Sequence, residues 1–572
     1  MDLQDNVLII NDLNISFLSA QKSSKVVKNL SFSLQKGTTL GIVGESGSGK
    51  SVTALSIMQL LPSKKVKIEG EILFSDAGKT IDLLSLSDKT MQYYRGNRLS
   101  MIFQEPMTSL NPSLTCGEQI SETLRLHLKM SKLQAKKRSF ELLEEVNLSP
   151  PQKFYQSYPH QLSGGQKQRI MIAIAIACQP DILIADEPTT ALDVTVAKNI
   201  LLLLKDLQKK YGISIIFITH DLEIVKNTAD HVLVLYQGEK VEYEHSETLF
   251  STPQQSYTQG LLSCKVPQSN IRTQPLPTVN DFLNKDKNIS QITLKTTISS
   301  TQWLEIAKKI TQKEPLLQVK NLSKIYPVGT QWLGRKVYFE ALKSISFDVY
   351  ENETLGLVGE SGCGKTTLGR TLLRLIEPTK GNIFYKGKDI CALNNRQLRN
   401  LRKEIQIVYQ DPYSSLNARQ LIGESLVQPM KLHHIGTSDK QRKDKAVELL
   451  EKTGLEAKHF YAYPHEFSGG QRQRICIARA LSVEPQFVIC DEAVSALDIS
   501  VQAQILNLLN ELKKDYHLTY IFISHDLSVV RYMSHRVMVI KSGQIQEINF
   551  ADPLYENPQN DYTKQLINSL SR

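Results

Sequence analysis

A phosphate-binding loop occurs twice in this chain, and the duplication constrains the fold more than any other feature. Gly44-Glu45-Ser46-Gly47-Ser48-Gly49-Lys50-Ser51 returns as Gly359-Glu360-Ser361-Gly362-Cys363-Gly364-Lys365-Thr366. Each copy follows an apolar, strand-like run and precedes a segment that reads as a helix. In that context the glycines let the backbone curl, so that its N–H groups and the helix N-terminus face a triphosphate while the lysine reaches the β and γ phosphates. The hydroxyl of Ser51 or Thr366 then suits a Mg²⁺ ligand. A Gly-rich turn explains one such run, but not two in the same context.

The copies lie 315 residues apart at the lysine (50 and 365) and 305 apart at a later histidine (220 and 525). The difference falls around residues 74–87, where the first half carries a loop insertion. A period this long means two whole domains rather than solenoid repeats. The total of 572 residues agrees, being too long for one hydrophobic core. The expected division is 1–263, a linker over 264–314, and 315–572. Residues 7–17 and 26–34 read as strands of an antiparallel β subdomain, and residues 121–146 as an inserted helical subdomain. Residues 182–185 and 213–218 read as buried parallel strands, whose ends are where ligands collect in α/β sheets. The linker is rich in Lys, Asn, Gln, Ser, Thr and Pro, with one short helix near Trp303-Leu304-Glu305-Ile306.

Composition mainly excludes. No run is long and apolar enough to span a membrane, and the start Met1-Asp2-Leu3-Gln4-Asp5 lacks a secretory layout, so a cytosolic chain is expected. Seven cysteines (Cys116, Cys178, Cys264, Cys363, Cys391, Cys476, Cys490) are scattered without a C-x-x-C pair. That predicts free thiols, mostly in the core, and neither a disulfide framework nor a zinc site. The net charge of +10 is spread over the chain and selects neither a membrane surface nor nucleic acid.

Further landmarks accompany each loop. Leu162-Ser163-Gly164-Gly165-Gln166 is matched by Phe467-Ser468-Gly469-Gly470-Gln471, each before a basic, apolar helix. A serine hydroxyl and glycine amides at a helix N-terminus make a second anion site. Asp186-Glu187 and Asp491-Glu492 end apolar strands, as do His220 and His525, while Gln104 and Gln410 stand before Glu-Pro and Asp-Pro turns.

Together these motifs resemble the ATP-binding cassette family over both halves. The resemblance implies an α/β fold of two tandem P-loop nucleotide-binding domains. Each has a RecA-like parallel-sheet core, an antiparallel β subdomain and a helical subdomain. It implies ATP and Mg²⁺ as ligands, with the cassettes of one chain pairing so that two ATP molecules are sandwiched head to tail. Lys50 and Glu187 would then work with Ser468, Gly470 and Gln471, and Lys365 and Glu492 with Ser163, Gly165 and Gln166. Asp186 and Asp491 would hold Mg²⁺ or its water, Glu187 and Glu492 would deprotonate the attacking water, and His220 and His525 would contact the γ-phosphate. Gln104 and Gln410 would reach Mg²⁺ and report nucleotide state to a membrane subunit. Asp193 and Asp498 resemble the loop linking the sites. Phe17 and Tyr326 are candidates for stacking on adenine, or else half-buried strand residues. Ala493 departs from the usual proline, which predicts altered loop stiffness but an intact site.

The resemblance narrows at residues 106–112 and 412–417, and at Pro253-Gln254-Gln255-Ser256-Tyr257-Thr258 and Pro558-Gln559-Asn560-Asp561-Tyr562-Thr563. These are similar to the C-terminal extension of oligopeptide, dipeptide and nickel importer ATPases, although Ser256 and Asp561 stand where a His-Pro pair is usual. The chain looks like two such ATPases fused, as in peptide, glutathione and microcin importers. With only Cys264 near the first extension, no iron–sulfur cluster is expected. The implied function is the ATP-hydrolysing subunit of an importer, peripheral at the cytoplasmic face of the inner membrane. Its partners would be two permease subunits and, through them, an external solute-binding protein. The rival is a soluble tandem cassette acting on ribosomes or nucleic acid, against which stand the broken, polar linker and the absence of zinc cysteines.

Overall fold

The computed structural model describes residues 5–18, 23–62, 65–76, 78–104, 109–190, 192, 194–267, 271–283, 296–330, 336–360, 362–495 and 497–568. The chain divides into two compact units, Met1–Ser263 with Val279–Lys285, and Cys264–Thr278 with Asp286–Arg572.

In the first unit, β1 (Asn6–Leu18), β2 (Ser23–Gln35), β4 (Val66–Asp76) and β5 (Lys79–Asp82) form an antiparallel sheet in the order β2-β1-β4-β5. The second sheet contains β3 (Thr39–Val43), β6 (Leu99–Ile102), β7 (Ile182–Asp186), β8 (Ser214–Ile218), β9 (His231–Tyr236) and β10 (Glu239–His245), in the order β10-β9-β3-β8-β7-β6. It is parallel except for β10. Alternate residues of its short, largely apolar parallel strands serve two cores, as the two-residue period requires. Leu40, Ile42, Ile184, Ile216 and Ile218 pack toward β1, β2 and β4, whereas Leu183, Ala185, Ile215 and Phe217 pack toward helices. Those helices include α2 (Cys116–Leu128), α3 (Lys132–Glu145), α4 (Gly164–Ile176) and α5 (Val194–Tyr211). Reciprocal capping boxes start α2 at Thr115 with Glu118 and α3 at Ser131 with Gln134.

The second unit repeats the plan. β13 (Pro315–Thr330), β14 (Lys336–Tyr350), β16 (Lys380–Tyr385) and β17 (Lys388–Asp389) make the antiparallel sheet. β15 (Thr354–Val358), β18 (Ile405–Val408), β19 (Phe487–Asp491), β20 (Thr519–Ile523), β21 (Arg536–Lys541) and β22 (Gln544–Phe550) make the other, in the order β18-β19-β20-β15-β21-β22. The seven cysteines form no disulfide among the described residues, and six of them are buried. Among the described residues no helix is long and apolar enough to cross a membrane.

The stretch 264–314 holds more structure than a polar linker with one short helix. β11 (Ile271–Thr273) pairs antiparallel with β12 (Thr297–Ser299), and α8 (Ser300–Thr311) follows, with Ser299 and Gln302 as its capping box. Arg272 is buried, donating to Asp552 at 2.6 and 3.0 Å and to the Arg531 carbonyl at 2.9 Å. Trp303 stacks on His535 with ring centroids 4.7 Å apart and donates its indole N–H to the Ser534 carbonyl. Leu276 exchanges backbone hydrogen bonds with the Asn507 side chain. This strap is part of the second unit's packing.

Comparison of the halves exposes one costly charge. Gln208 donates to the Thr39 hydroxyl at 2.9 Å in the first unit, and Lys513 makes the matching 2.8 Å bond to Thr354 in the second. Burial pushes the Lys513 ammonium down to about 7, with Glu353 opposing. At and below pH 7 the lysine is charged both folded and unfolded, so the full cost of burying it is present. That cost fades as pH rises toward the unfolded value of about 10.4. Lys513→Gln is therefore expected to stabilise the second unit by ~2–4 kcal/mol at neutral pH, with the gain shrinking toward pH 10. Urea unfolding across pH 6–10 tests this, and a pH-independent or negative effect contradicts the account.

Candidate active sites

Both phosphate loops sit where the sheet topology puts them, at the carboxyl ends of parallel strands. The first leaves β3 and enters α1 (Lys50–Ile57), and the second leaves β15 and enters α9 (Lys365–Leu372). Gly44 (φ 148°) lies so close to the β9–β10 turn that a Cβ there would stand 2.1 Å from the Leu235 carbonyl oxygen. Gly359 makes the same approach to Ile540. Gly47 and Gly49, like Gly362 and Gly364, hold positive φ in the curl of the loop. Ser48 and Cys363 occupy matching buried positions, and burial raises the Cys363 thiol. Ser361 lies outside the described residues, as do Asp193 and residues 105–108.

Each loop lysine turns back on its own loop. Lys50 Nζ donates to the Gly44 and Glu45 carbonyls at 2.7 and 2.8 Å, and Lys365 Nζ to those of Gly359 and Glu360 at 2.7 and 3.0 Å. Ser51 donates to Asp186 at 3.2 Å, and Thr366 to Asp491 at the same distance. Burial raises both aspartates, Asp186 to about 6, while the Ser51 and Thr366 bonds oppose the shift and the adjacent glutamates add to it.

The glutamates behave oppositely. Glu187 has φ 48° and Glu492 φ 49°, each fixed by its backbone N–H bonding to the carbonyl that ends the neighbouring strand, Ile218 or Ile523. A left-handed glutamate is uncommon, and here it turns the carboxylate toward the loop end of the sheet. Glu187 accepts from Gln104 at 3.0 Å and Thr190 at 2.9 Å, with His220 Nδ1 at 3.3 Å. Glu492 accepts from Gln410 at 2.8 Å, with His525 Nδ1 at 3.5 Å. Burial acts upward on Glu187, but the His220 hydrogen bond and charge with the Thr190 bond and the Lys50 charge outweigh it and hold the carboxyl at about 2. Glu492 is lowered in the same way, and His525 is raised chiefly by its bond to Glu492. Thus Gln104, Asp186, Glu187 and His220 meet in one unit, and Gln410, Asp491, Glu492 and His525 in the other. Ala493 is buried behind Glu492, and Ser495 bonds the Glu492 carbonyl.

Ser163 and Ser468 cap α4 and α12 (Gly469–Leu481) through capping boxes with Gln166 and Gln471. Gly165 and Gly470 have a packing reason beyond anion binding: a Cβ would stand 2.6 Å from Val196 Cγ1 or 2.4 Å from Val501 Cγ1. Gly165→Ala is expected to lower stability by ~1–3 kcal/mol, with much of the loss recovered by Val196→Ala, as chemical denaturation would show. Phe17 and Tyr326 are half-buried strand residues, with the Lys324 ammonium 5.0 Å above the Tyr326 ring.

Two residues that the motifs did not single out as site groups touch the loops. The Glu45 N–H donates to the Tyr257 hydroxyl at 3.2 Å, and the Glu360 N–H to the Tyr562 hydroxyl at 3.3 Å. The only sequence signal was their recurrence in the two extensions.

The profile of the family described as ABC transporter matches residues 27–190 and 342–495. Over 565 residues the chain is 47% identical to the glutathione import ATP-binding protein GsiA of Shigella sonnei strain Ss046, spanning 98% of this chain and 89% of that one. The Escherichia coli K12 protein of the same name is 46% identical over the same shares. Among solved structures the chain is similar to the dimeric post-hydrolysis state of the ATP-binding cassette MJ0796 bound to ADP and Pi. That chain is 28% identical, with 41% of this chain and 98% of that one covered at a TM-score of 0.38. Two complete sets of phosphate loop, signature and strand-end carboxylates, and two matches to one family profile, make the chain a member of the ABC transporter family that carries two ATP-hydrolysing cassettes in one polypeptide.

Proposed function

We propose that the chain is the energy-coupling subunit of an importer for a small peptide-class solute such as glutathione. It would act on separate permease subunits at the cytoplasmic face of the membrane and, through them, on an external solute-binding protein. The observation that carries the reading is the match along 98% of the chain to glutathione import ATP-binding proteins. The working division is a cassette in residues 1–263, a connecting stretch in 264–314 and a cassette in 315–572.

Each phosphate loop with its lysine would bind the β and γ phosphates of ATP, and Phe17 or Tyr326 would stack on adenine. Ser163 with Gln166, and Ser468 with Gln471, would supply the second anion site at a helix N-terminus. Mg²⁺ fits the donor set, because Ser51 with Asp186, and Thr366 with Asp491, are paired hard oxygens of the kind that bind this ion with phosphates and waters. Gln104 and Gln410 would join them. The ion would neutralise charge building on the transferred phosphoryl group. Glu187 and Glu492, held ionised, would take a proton from the attacking water, and His220 and His525 would keep it in line.

Affinity purification of the chain from detergent-solubilised membranes should bring down two permease subunits. ATP turnover of that complex in proteoliposomes should rise when glutathione-loaded binding protein is added. Recovery of ribosomes or nucleic acid in place of permeases would overturn the importer reading.

A further inference from the structure

We propose that Tyr257 and Tyr562 are positioning residues, through which the C-terminal extension of each cassette sets the phosphate loop for nucleotide. The inference rests on the ATPase reading of these loops. It comes from a segment whose sequence served above only to narrow the resemblance.

In both units the extension is fastened first to the edge of the main sheet. Glu242 in β10 accepts the backbone N–H groups of Gln254 and Gln255 at 2.9 and 3.3 Å. Glu547 in β22 accepts those of Gln559 and Asn560 at 3.1 and 3.0 Å. The chain then turns into a short helix, α6 (Ser256–Ser263) or α14 (Asp561–Asn568), whose first turn delivers the tyrosine. Tyr257 is 3% exposed and Tyr562 7%. The Tyr257 ring lies 4.3 Å from that of Tyr236, and the Lys541 ammonium stands 4.3 Å from the Tyr562 ring centroid. Each phenol is therefore fixed before it meets the loop.

What the phenol grips matters. The peptide whose N–H bonds to the tyrosine hydroxyl, between Gly44 and Glu45 or between Gly359 and Glu360, carries the carbonyl of Gly44 or Gly359, one of the two carbonyls that hold the loop lysine. To reach a phosphate, Lys50 or Lys365 must be shared between those carbonyls and the ligand. A peptide pinned from behind presents its carbonyl, and so the ammonium, at a set place. Without the hydroxyl, the N–H loses a part-buried partner and the peptide is free to tilt. The two extensions differ just before the tyrosine, Gln255-Ser256 against Asn560-Asp561, yet deliver the same bond.

The test uses the full-length chain with Tyr257→Phe and Tyr562→Phe combined, which keeps both rings and removes only the hydroxyls. The expected result is a KM for ATP raised by about threefold to tenfold, as one such hydrogen bond implies, with kcat within about twofold and the thermal midpoint nearly unchanged. An unchanged KM overturns the proposal, whether or not the thermal midpoint falls. If the wild-type chain turned over no ATP, the ATPase reading would fail. Binding of a fluorescent ATP analogue to the same variant would still decide the positioning role, a weakened affinity supporting it and an unchanged one overturning it.

Discussion

Replacing Glu187 and Glu492 together by glutamine is expected to cut ATP turnover by at least about a hundredfold while ATP binding survives, the size of loss that removal of a positioned general base produces. Glutamine keeps the shape of the side chain and can still accept from Gln104 or Gln410, so the local fold should hold. It loses the negative charge that pairs with His220 at 3.3 Å and His525 at 3.5 Å, and with it the capacity to take a proton from water. Because Glu187 is held down to about 2, it stays ionised throughout the mildly acid range. By linkage, the stability it contributes is present above the unfolded value of about 4.3 and is lost only as pH falls through about 2. A decline in kcat between pH 4 and 6 is therefore not expected from protonation of Glu187. Phosphate release and retention of labelled ATP, measured on the double variant, decide the matter. Turnover near the wild-type rate would remove both glutamates from the mechanism.

Local chemistry was legible where it was written in short motifs, and obscure where it depended on residues far apart in sequence. The pentads that became β7 and β8 announced themselves because a strand buried on both faces reads as a near-continuous apolar run, here interrupted only at one end, by Asp186 and Ser214. The loops at Gly44 and Gly359 were legible because their glycines meet a backbone constraint that other residues meet poorly. Gly165 carried a second meaning that no motif displays, since the methyl group it must avoid belongs to Val196 on another helix. Tyr257 was similarly opaque: its hydroxyl bonds to a backbone N–H, and a backbone N–H leaves no mark in a sequence. The stretch 264–314 misled by composition. Its Arg272 looks like a solvated charge until Asp552, 280 residues later, is brought beside it. Trp303 likewise reads as a stray aromatic until it meets His535. In the first unit the position matching His535 is Asp230, whose carboxylate accepts the Thr39 N–H much as His535 Nδ1 accepts that of Thr354. The flat imidazole on which Trp303 stacks therefore exists in the second unit alone.

That strap leads to the largest stability effect expected here. Asp552→Ala should destabilise the second unit by ~3–5 kcal/mol, because it leaves the buried Arg272 guanidinium without its counter-charge. Asp552 is 4% exposed and accepts from Arg272 at 2.6 and 3.0 Å and from Arg531 at 3.0 Å. Arg531 has a second carboxylate at Glu556, whereas Arg272 keeps, among the described residues, the Arg531 carbonyl and the face of Trp303, 4.8 Å from its guanidinium carbon. Loss of Asp552 should thus release Arg272 first, and with it β11, β12 and the N-terminal turn of α8. Limited proteolysis should then cut within residues 271–311 faster than in the wild-type chain, and the unfolding transition of the second unit should move to lower urea. The first unit, which has Glu247 at the matching position and, among the described residues, no arginine paired with it, should unfold as before. Arg272→Met combined with Asp552→Leu separates the two contributions, since swapping a buried pair for apolar groups of similar size costs little or even stabilises. Recovery of stability in that double variant would assign the loss in Asp552→Ala to the stranded charge. A shift below about 1 kcal/mol in Asp552→Ala, the range of an exposed pair, would mean that the strap is not seated on the second unit in solution.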